Sequence, residues 1–312
     1  VYMYKNNVYR KERVEGRSFF GIIKNGSYFL SNLAIYEDGI VSAWDKFDIY
    51  QFEKALEKKW VVSFIEDNEE LNIHGIGDFE ILESQWMHKD DYYEYIKSIL
   101  KEMNPEMQNI YKTTQREIEK WEKLKVSFLA SPIDFKMKEQ FGYDLSGGKS
   151  YFIFRKSYNY ISSKEIFLTC YSIYDDETIS IYNDNNIYNF NNIKNMFDND
   201  ELILYPKEDD SIIIENLAKL KLKLALKYTN KKEKLKEIKE NIKKISGKEN
   251  AFDYAIKCYH NYLVYPSDYN RELLKEAYKK VPKHERIFLG DMDNKYSDFR
   301  RIIYTPNIKR EV

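Results

Sequence analysis

Apolar positions near the start of the chain alternate with polar ones and then change period. SFFGIIK and SYFLSNLAIY flank Asn25-Gly26, and the second run and GIVSAW flank Glu37-Asp38-Gly39. Both junctions are hairpin signals, because glycine supplies the positive φ that a tight reversal needs. IYQFEKALEKK then places Phe52, Leu56 and the aliphatic stem of Lys59 near one side at helical spacing, with Asp48 as N-cap. WVVSFIE and ELNIHGIGDFEIL return to strand character as two more strands. The predicted order is βββαββ, which suits a small five-stranded barrel with a helix between strands three and four, as in OB-folds.

The pattern recurs. IYEDGIVSAWDKFDIYQFEKALE, from Ile35 to Glu57, aligns without gaps on IYDDETISIYNDNNIYNFNNIKN, residues 173–195, with Tyr36/Tyr174, Asp38/Asp176 and Phe52/Phe190 among the identical pairs. With small gaps the match reaches Gly16–Phe20 against Gly148–Phe152 and Leu71–Ile73 against Ile212–Ile214. Self-similarity on this scale predicts a duplication. It also decides an ambiguous stretch: AKLKLKLALK, residues 218–227, resembles the start of a basic helix, but it alternates with period two and aligns with GDFEILES, so a strand is expected.

Helices are expected after each copy. HKDDYYEYIKSILKEM carries Tyr92, Ile96, Ile99 and Met103 on one face, and a second helix is expected to run to about Lys125. After the second copy, Asn230 and Glu233 have cap spacing, and Leu235, Ile238, Ile242 and Ile245 form a stripe. AFDYAIKCYHNYL and SDYNRELLKEAYKK follow, separated by Pro266. IFLG and FRRIIY in the tail read as short strands joined by a turn at Gly290-Asp291. The expected fold class is α+β: two duplicated five-stranded βββαββ barrel-like modules, each followed by helices, then a helical C-terminal region with a short β tail. The expected segments are an arm 1–16, a first β-rich module 17–85, a helical segment 86–129, a linker 130–148, a second β-rich module 149–227, a helical segment 228–281 and a docked tail 282–312.

Composition narrows the function. The 50 basic and 51 acidic residues balance in a chain that is 43% hydrophobic, which argues against disorder and against a globally basic nucleic-acid binder. The balance is uneven along the chain: residues 17–85 hold 6 basic and 13 acidic side chains, residues 150–227 hold 9 and 12, and residues 228–312 hold 20 and 13. Tyr28, Trp44 and Trp60 in the first copy and Tyr182 in the second are candidate binding aromatics. Stacking nucleic-acid bases on them would bring phosphates against acidic modules, which disfavours that partner. Two cysteines exclude a disulfide framework, and the absence of a long apolar run leads to an expectation of a cytoplasmic protein with no membrane partner.

Catalytic patterns fit poorly. Ser146-Gly147-Gly148-Lys149-Ser150 ends like a phosphate-binding loop, but a strand follows where a helix is needed. Cys258 and His260 lie two apart on a helix and point in divergent directions. The tail gathers His284, Asp291, Asp293 and Asp298, which could hold a hard cation and activate water, although the Gly290-Asp291 turn needs carboxylate acceptors in any case.

The stretch from Gly16 to Ile81, with Lys24-Asn25-Gly26, Tyr36-Glu37-Asp38-Gly39, Trp44 and Trp60-Val61-Val62, resembles a β-rich module of uncharacterised bacterial proteins. The tail from His284 to Tyr304 resembles segments at the ends of small bacterial proteins. These resemblances imply bacterial origin and no particular activity. The expected function is therefore a non-enzymatic interaction protein with no cofactor, masking a partner protein with a basic surface, as an immunity, phage-defence or counter-defence factor would. The alternatives are a metal-dependent hydrolase or nuclease using the tail carboxylates, and a nucleic-acid binder using the basic helices.

Overall fold

The structure is a computed structural model that describes residues 7–8, 15–114, 131–132, 149–156, 165–289 and 298–306. A two-residue parallel bridge joins β1 (Asn7–Val8) to β9 (Ser131–Pro132). The main body is a mixed α+β arrangement around one curled sheet of 14 strands.

The first half runs β2 (Gly16–Asn25), β3 (Ser27–Tyr36), β4 (Ile40–Ser42), β5 (Lys46–Asp48), α1 (Ile49–Glu57), β6 (Val61–Val62), β7 (Glu70–Ile73), β8 (Gly77–Trp86) and α2 (Tyr92–Met103). The second runs β10 (Lys149–Lys156), β11 (Glu165–Ile173), β12 (Ile179–Ile181), β13 (Ile187–Tyr188), α3 (Phe190–Asp198), β14 (Leu202–Ile203), β15 (Ser211–Ile214), β16 (Ala218–Lys227) and α4 (Lys231–Ile245). Their pairings correspond one to one. β2–β3 and β10–β11 are antiparallel hairpins, β6 and β14 pair with the first strand of each, and β7 and β15 lie parallel to the second.

The five-strand expectation is corrected. Each half contributes seven strands to the sheet, because Lys46–Asp48 forms a short strand against β4 and ELNIHGIGDFEIL is a hairpin rather than one strand. The reversal in that hairpin is local chemistry: Gly75 takes φ +74°, which a residue with a Cβ resists. The halves are also not separate barrels. β8 and β16 pair antiparallel along their length, with Gly77 opposite Lys227 and Trp86 opposite Ala218, so the sheet runs continuously from one half to the other. Two reciprocal hydrogen bonds close the seam, Met87 N to Leu217 O at 2.9 Å and Tyr228 N to Ile76 O at 3.1 Å.

AKLKLKLALK shows why the sheet has two unlike faces. Leu220 and Leu222 point into a core shared with Phe79, Ile81 and Phe154. Each such side chain contributes roughly 1.5–3 kcal/mol when fully buried. Lys219, Lys221 and Lys223 point the other way and meet Glu165, Glu83 and Glu80 at 2.9, 2.7 and 3.5 Å.

α5 (Ala251–Val264), α6 (Asp268–Lys280), a 3-10 turn (Lys283–Phe288) and α7 (Asp298–Tyr304) make a separate core around Leu274, Ala277 and Phe299. Here the tail expectations are overturned. Ile287 and Phe288 of IFLG end the 3-10 turn, and FRRIIY falls in α7: Phe299, Ile302 and Ile303, spaced three and four apart, are the buried positions, and the phenyl ring stacks on Tyr259 at 4.4 Å. β-branched and aromatic content suggested a strand, but the burial spacing is helical. The Gly290-Asp291 turn and the helix expected up to Lys125 lie outside the described residues.

Candidate docking groove

A cleft of about 480 Å³ lies in the first half between α1, the β2–β3 hairpin tip and the segments after β6 and β8. Its shape follows from α1. Asp48 caps the helix by accepting from Gln51 N at 2.8 Å, and its other oxygen accepts from Thr113 N at 2.7 Å. Ile49, Phe52 and Ala55 then face the core, and Glu53 and Glu57 face the cleft. Leu56, on the same side as Phe52 by its spacing, is half-buried, packing against the core while also lining the cleft.

Aromatic rings and charges alternate around the cleft. Lys24 Nζ lies 5.1 Å from the Tyr28 ring centre and Lys89 Nζ lies 4.1 Å from that of Phe64. On Tyr93, Lys97 Nζ stands 5.0 Å from the ring centre. Each is a cation held by the negative face of a ring. Glu53, Glu57, Glu66 and Asp90 supply carboxylates around the same space. The Tyr93 phenol is pushed up to about 12, by burial first and then by the charges of Glu53 and Glu94, so it stays protonated and hydrogen-bonds to Glu53. The groove can therefore hold cations by ring faces and carboxylates together.

The four aromatics expected to bind do not converge. Tyr28 lines this groove. Trp60 is half-buried against Phe47 at 5.2 Å. Trp44 is 50% exposed, lies 5.1 Å from Phe29 and donates from Nε1 to Ser31 Oγ at 3.0 Å. Tyr182 sits in the other half, edge-on to Phe20 at 5.7 Å. Sequence reading missed Glu53, Glu57, Phe64 and Tyr93. Their only signal is the interleaving of acids and rings in 50–66 and in HKDDYY, which has no fixed spacing.

Residues weighed for catalysis are placed as follows. Asp298 sits in the first turn of α7 with its Oδ1 3.3 Å from Arg301 Nη2. His284 lies in the 3-10 turn, and Asp291 and Asp293 fall outside the described residues. Cys258 is buried while His260 is exposed, so they face apart. Burial pushes the Cys170 thiol up to about 12, which leaves it protonated and non-nucleophilic at neutral pH. Among the described residues no three His, Cys, Asp or Glu side chains gather as metal ligands, and no helix is long and apolar enough to cross a membrane. Lysines of basic helix α4 are engaged within the molecule: Lys231 with Asp198 at 2.9 Å, Lys243 with Glu240 at 2.8 Å, and Lys248 just beyond the helix with Glu177.

A family model described as a domain of unknown function (DUF7638) matches residues 3–107 and 136–249, and a second so described (DUF7639) matches residues 250–310. No curated protein and no solved structure matches the chain.

Proposed function

The chain belongs to the DUF7638 family, and we propose that it works as a non-enzymatic interaction protein whose first half takes a basic, extended segment of a partner protein. The observation that carries this reading is the groove's set of three rings, each faced by one of the chain's own lysines and surrounded by four carboxylates. Those lysines are long and flexible, and a partner's arginine, planar and less strongly hydrated, replaces them on the ring faces with better stacking. The net charge of −7 over residues 17–85 steers a basic partner towards the groove and a nucleic acid away from it. Masking a basic partner in this way is what a bacterial immunity or counter-defence factor would do.

We further infer that the two halves descend from one duplicated unit. The support is the common element order, the matching strand pairings and the gapless central alignment. After duplication the second half kept the framework with a smaller acidic surplus, and among the described residues the acidic, ring-lined groove belongs to the first half.

Fluorescence anisotropy of the full chain with a labelled, extended peptide rich in arginine and lysine tests the function. Micromolar binding that weakens with added salt is expected, with Glu53→Gln/Glu57→Gln weakening it about tenfold, equivalent to ~1.4 kcal/mol. Tighter binding of single-stranded DNA than of the peptide would overturn the reading.

A further inference from the structure

The halves match strand for strand, so each position in one has a counterpart whose different side chain can be compared. The registers Ala34↔Ser42 and Ser172↔Ser180 set the correspondence. Trp44 corresponds to Tyr182, Phe29 to Phe167 and Ser31 to Thr169.

In the first half this position is filled. The Trp44 indole packs against Phe29 at a tilt of 56° and its N–H donates to the Ser31 hydroxyl. In the second half it is open. Tyr182 leans across the seam onto Phe20 instead, leaving a crevice of about 380 Å³ lined by Phe20, Phe167, Thr169, Tyr182 and Glu215. Phe167 is 38% exposed there. Only a weak 3.5 Å bond from Thr169 Oγ1 to Tyr182 O replaces the indole contact.

The charges of the crevice are asymmetric. Two cations line it: Lys156, exposed to solvent, and Arg155, which is neutralised with Nη1 2.6 Å from Asp184 and Nη2 3.0 Å from Glu201. Glu215 has an amide partner, Asn183, and among the described residues no cation within ion-pair distance. Burial raises its carboxyl above the usual value, as expected where a carboxylate lacks a compensating charge.

We propose that this crevice binds a planar, N–H-donating cation, a guanidinium or amidine group, stacked on Phe167 and donating to Glu215 and Thr169. Trp44 is its internal counterpart in the other half: a planar ring packed at a tilt against Phe29, whose N–H reaches Ser31. The second half offers the same seat with a carboxylate added, so the matching ligand is flat, donating and positively charged. This site is distinct from the groove of the first half and does not depend on it.

The test is titration of the full chain with N-acetyl-arginine amide, followed by calorimetry and by amide chemical shifts. The neutral comparison is N-acetyl-citrulline amide, which keeps the planar donors and loses the charge. Saturable binding of the arginine probe is expected, about tenfold or more tighter than the citrulline probe, with shifts at 167–169, 182–183 and 215. Glu215→Gln and Phe167→Ala should each weaken it about tenfold while the melting temperature holds, and Glu53→Gln/Glu57→Gln should leave it unchanged. If Glu215→Gln unfolds the chain, Phe167→Ala, on an exposed ring, still gives the answer. Equal affinity for the two probes, shifts confined to the groove, no saturable binding, or folded variants that bind like the parent would each overturn the proposal.

Discussion

Asp48 shows how much one side chain can organise. Its two oxygens satisfy the α1 N-terminus and the backbone N–H of Thr113, and it is 3% exposed. Asp48→Ala strands both donors, and urea denaturation should show a loss of about 3 kcal/mol, a cap plus a buried hydrogen bond. A change below about 0.5 kcal/mol would mean water replaces the carboxylate freely. Asp184 gives a pH-dependent counterpart. Burial pulls its carboxyl upwards, but bonds from Tyr188, the Asn186 backbone and Arg155 outweigh that and hold it below the usual value. Its folded pKa is below the unfolded one, so its contribution is complete above about pH 4 and fades as pH falls through the folded value. Asp184→Asn should therefore cost most near neutral pH, and the gap to the parent should close in acid; a gap independent of pH would contradict this. Caps of this kind were legible in the sequence, since Asp48 and Asn230 stand at cap spacing and do cap their helices. The left-handed turn at Glu177, φ +69°, was not legible, because Gly39 signals its counterpart while a glutamate signals nothing.

At the scale of elements, α4 carries a buried ion pair that no periodicity reveals. Lys234 and Glu237 are 1% and 2% exposed at 3.1 Å, and the ammonium also donates to Gly75 O across the seam at 3.4 Å. The stripe read from the sequence, through Ile238 and Ile242, is buried as expected, but the lysine and glutamate beside it are buried too. A polar residue enters a core only when tertiary partners exist, and those lie about 160 residues away in the chain for Gly75. Lys234→Met leaves the carboxylate without its cation and should cost about 3–5 kcal/mol, whereas Lys234→Met/Glu237→Leu should cost far less. Additive losses in that double-mutant cycle would mean that the pair does not act as a unit. FRRIIY failed as a strand for a related reason: its composition favours β, and only the burial of Phe299, Ile302 and Ile303 shows that helical spacing governs.

Across the whole molecule, the strand order within each half was largely readable, because hairpin glycines and alternation are local signals. That the halves share one sheet was not, since β8 reads the same whether its edge is solvated or paired with β16. Gly77 marks that pairing: a Cβ there would lie 2.4 Å from Leu226 O, a backbone atom that cannot turn aside. Gly77→Ala should therefore destabilise by about 2 kcal/mol or more and lower hydrogen-exchange protection in both halves together. Loss of protection in the first half alone would show that the halves unfold independently. The groove was legible only as an excess of acid and aromatic residues, because α1, the hairpin tip and the segment after β8 meet only in the fold. Its role is tested most directly by mapping backbone amide shifts of the full chain as the arginine- and lysine-rich peptide is added. The account predicts changes concentrated at 24–28, 53–66 and 89–93, with the midpoint moved to about tenfold more peptide by Glu53→Gln/Glu57→Gln. Changes centred on α4 to α6, or an unchanged spectrum at saturating peptide, would contradict it.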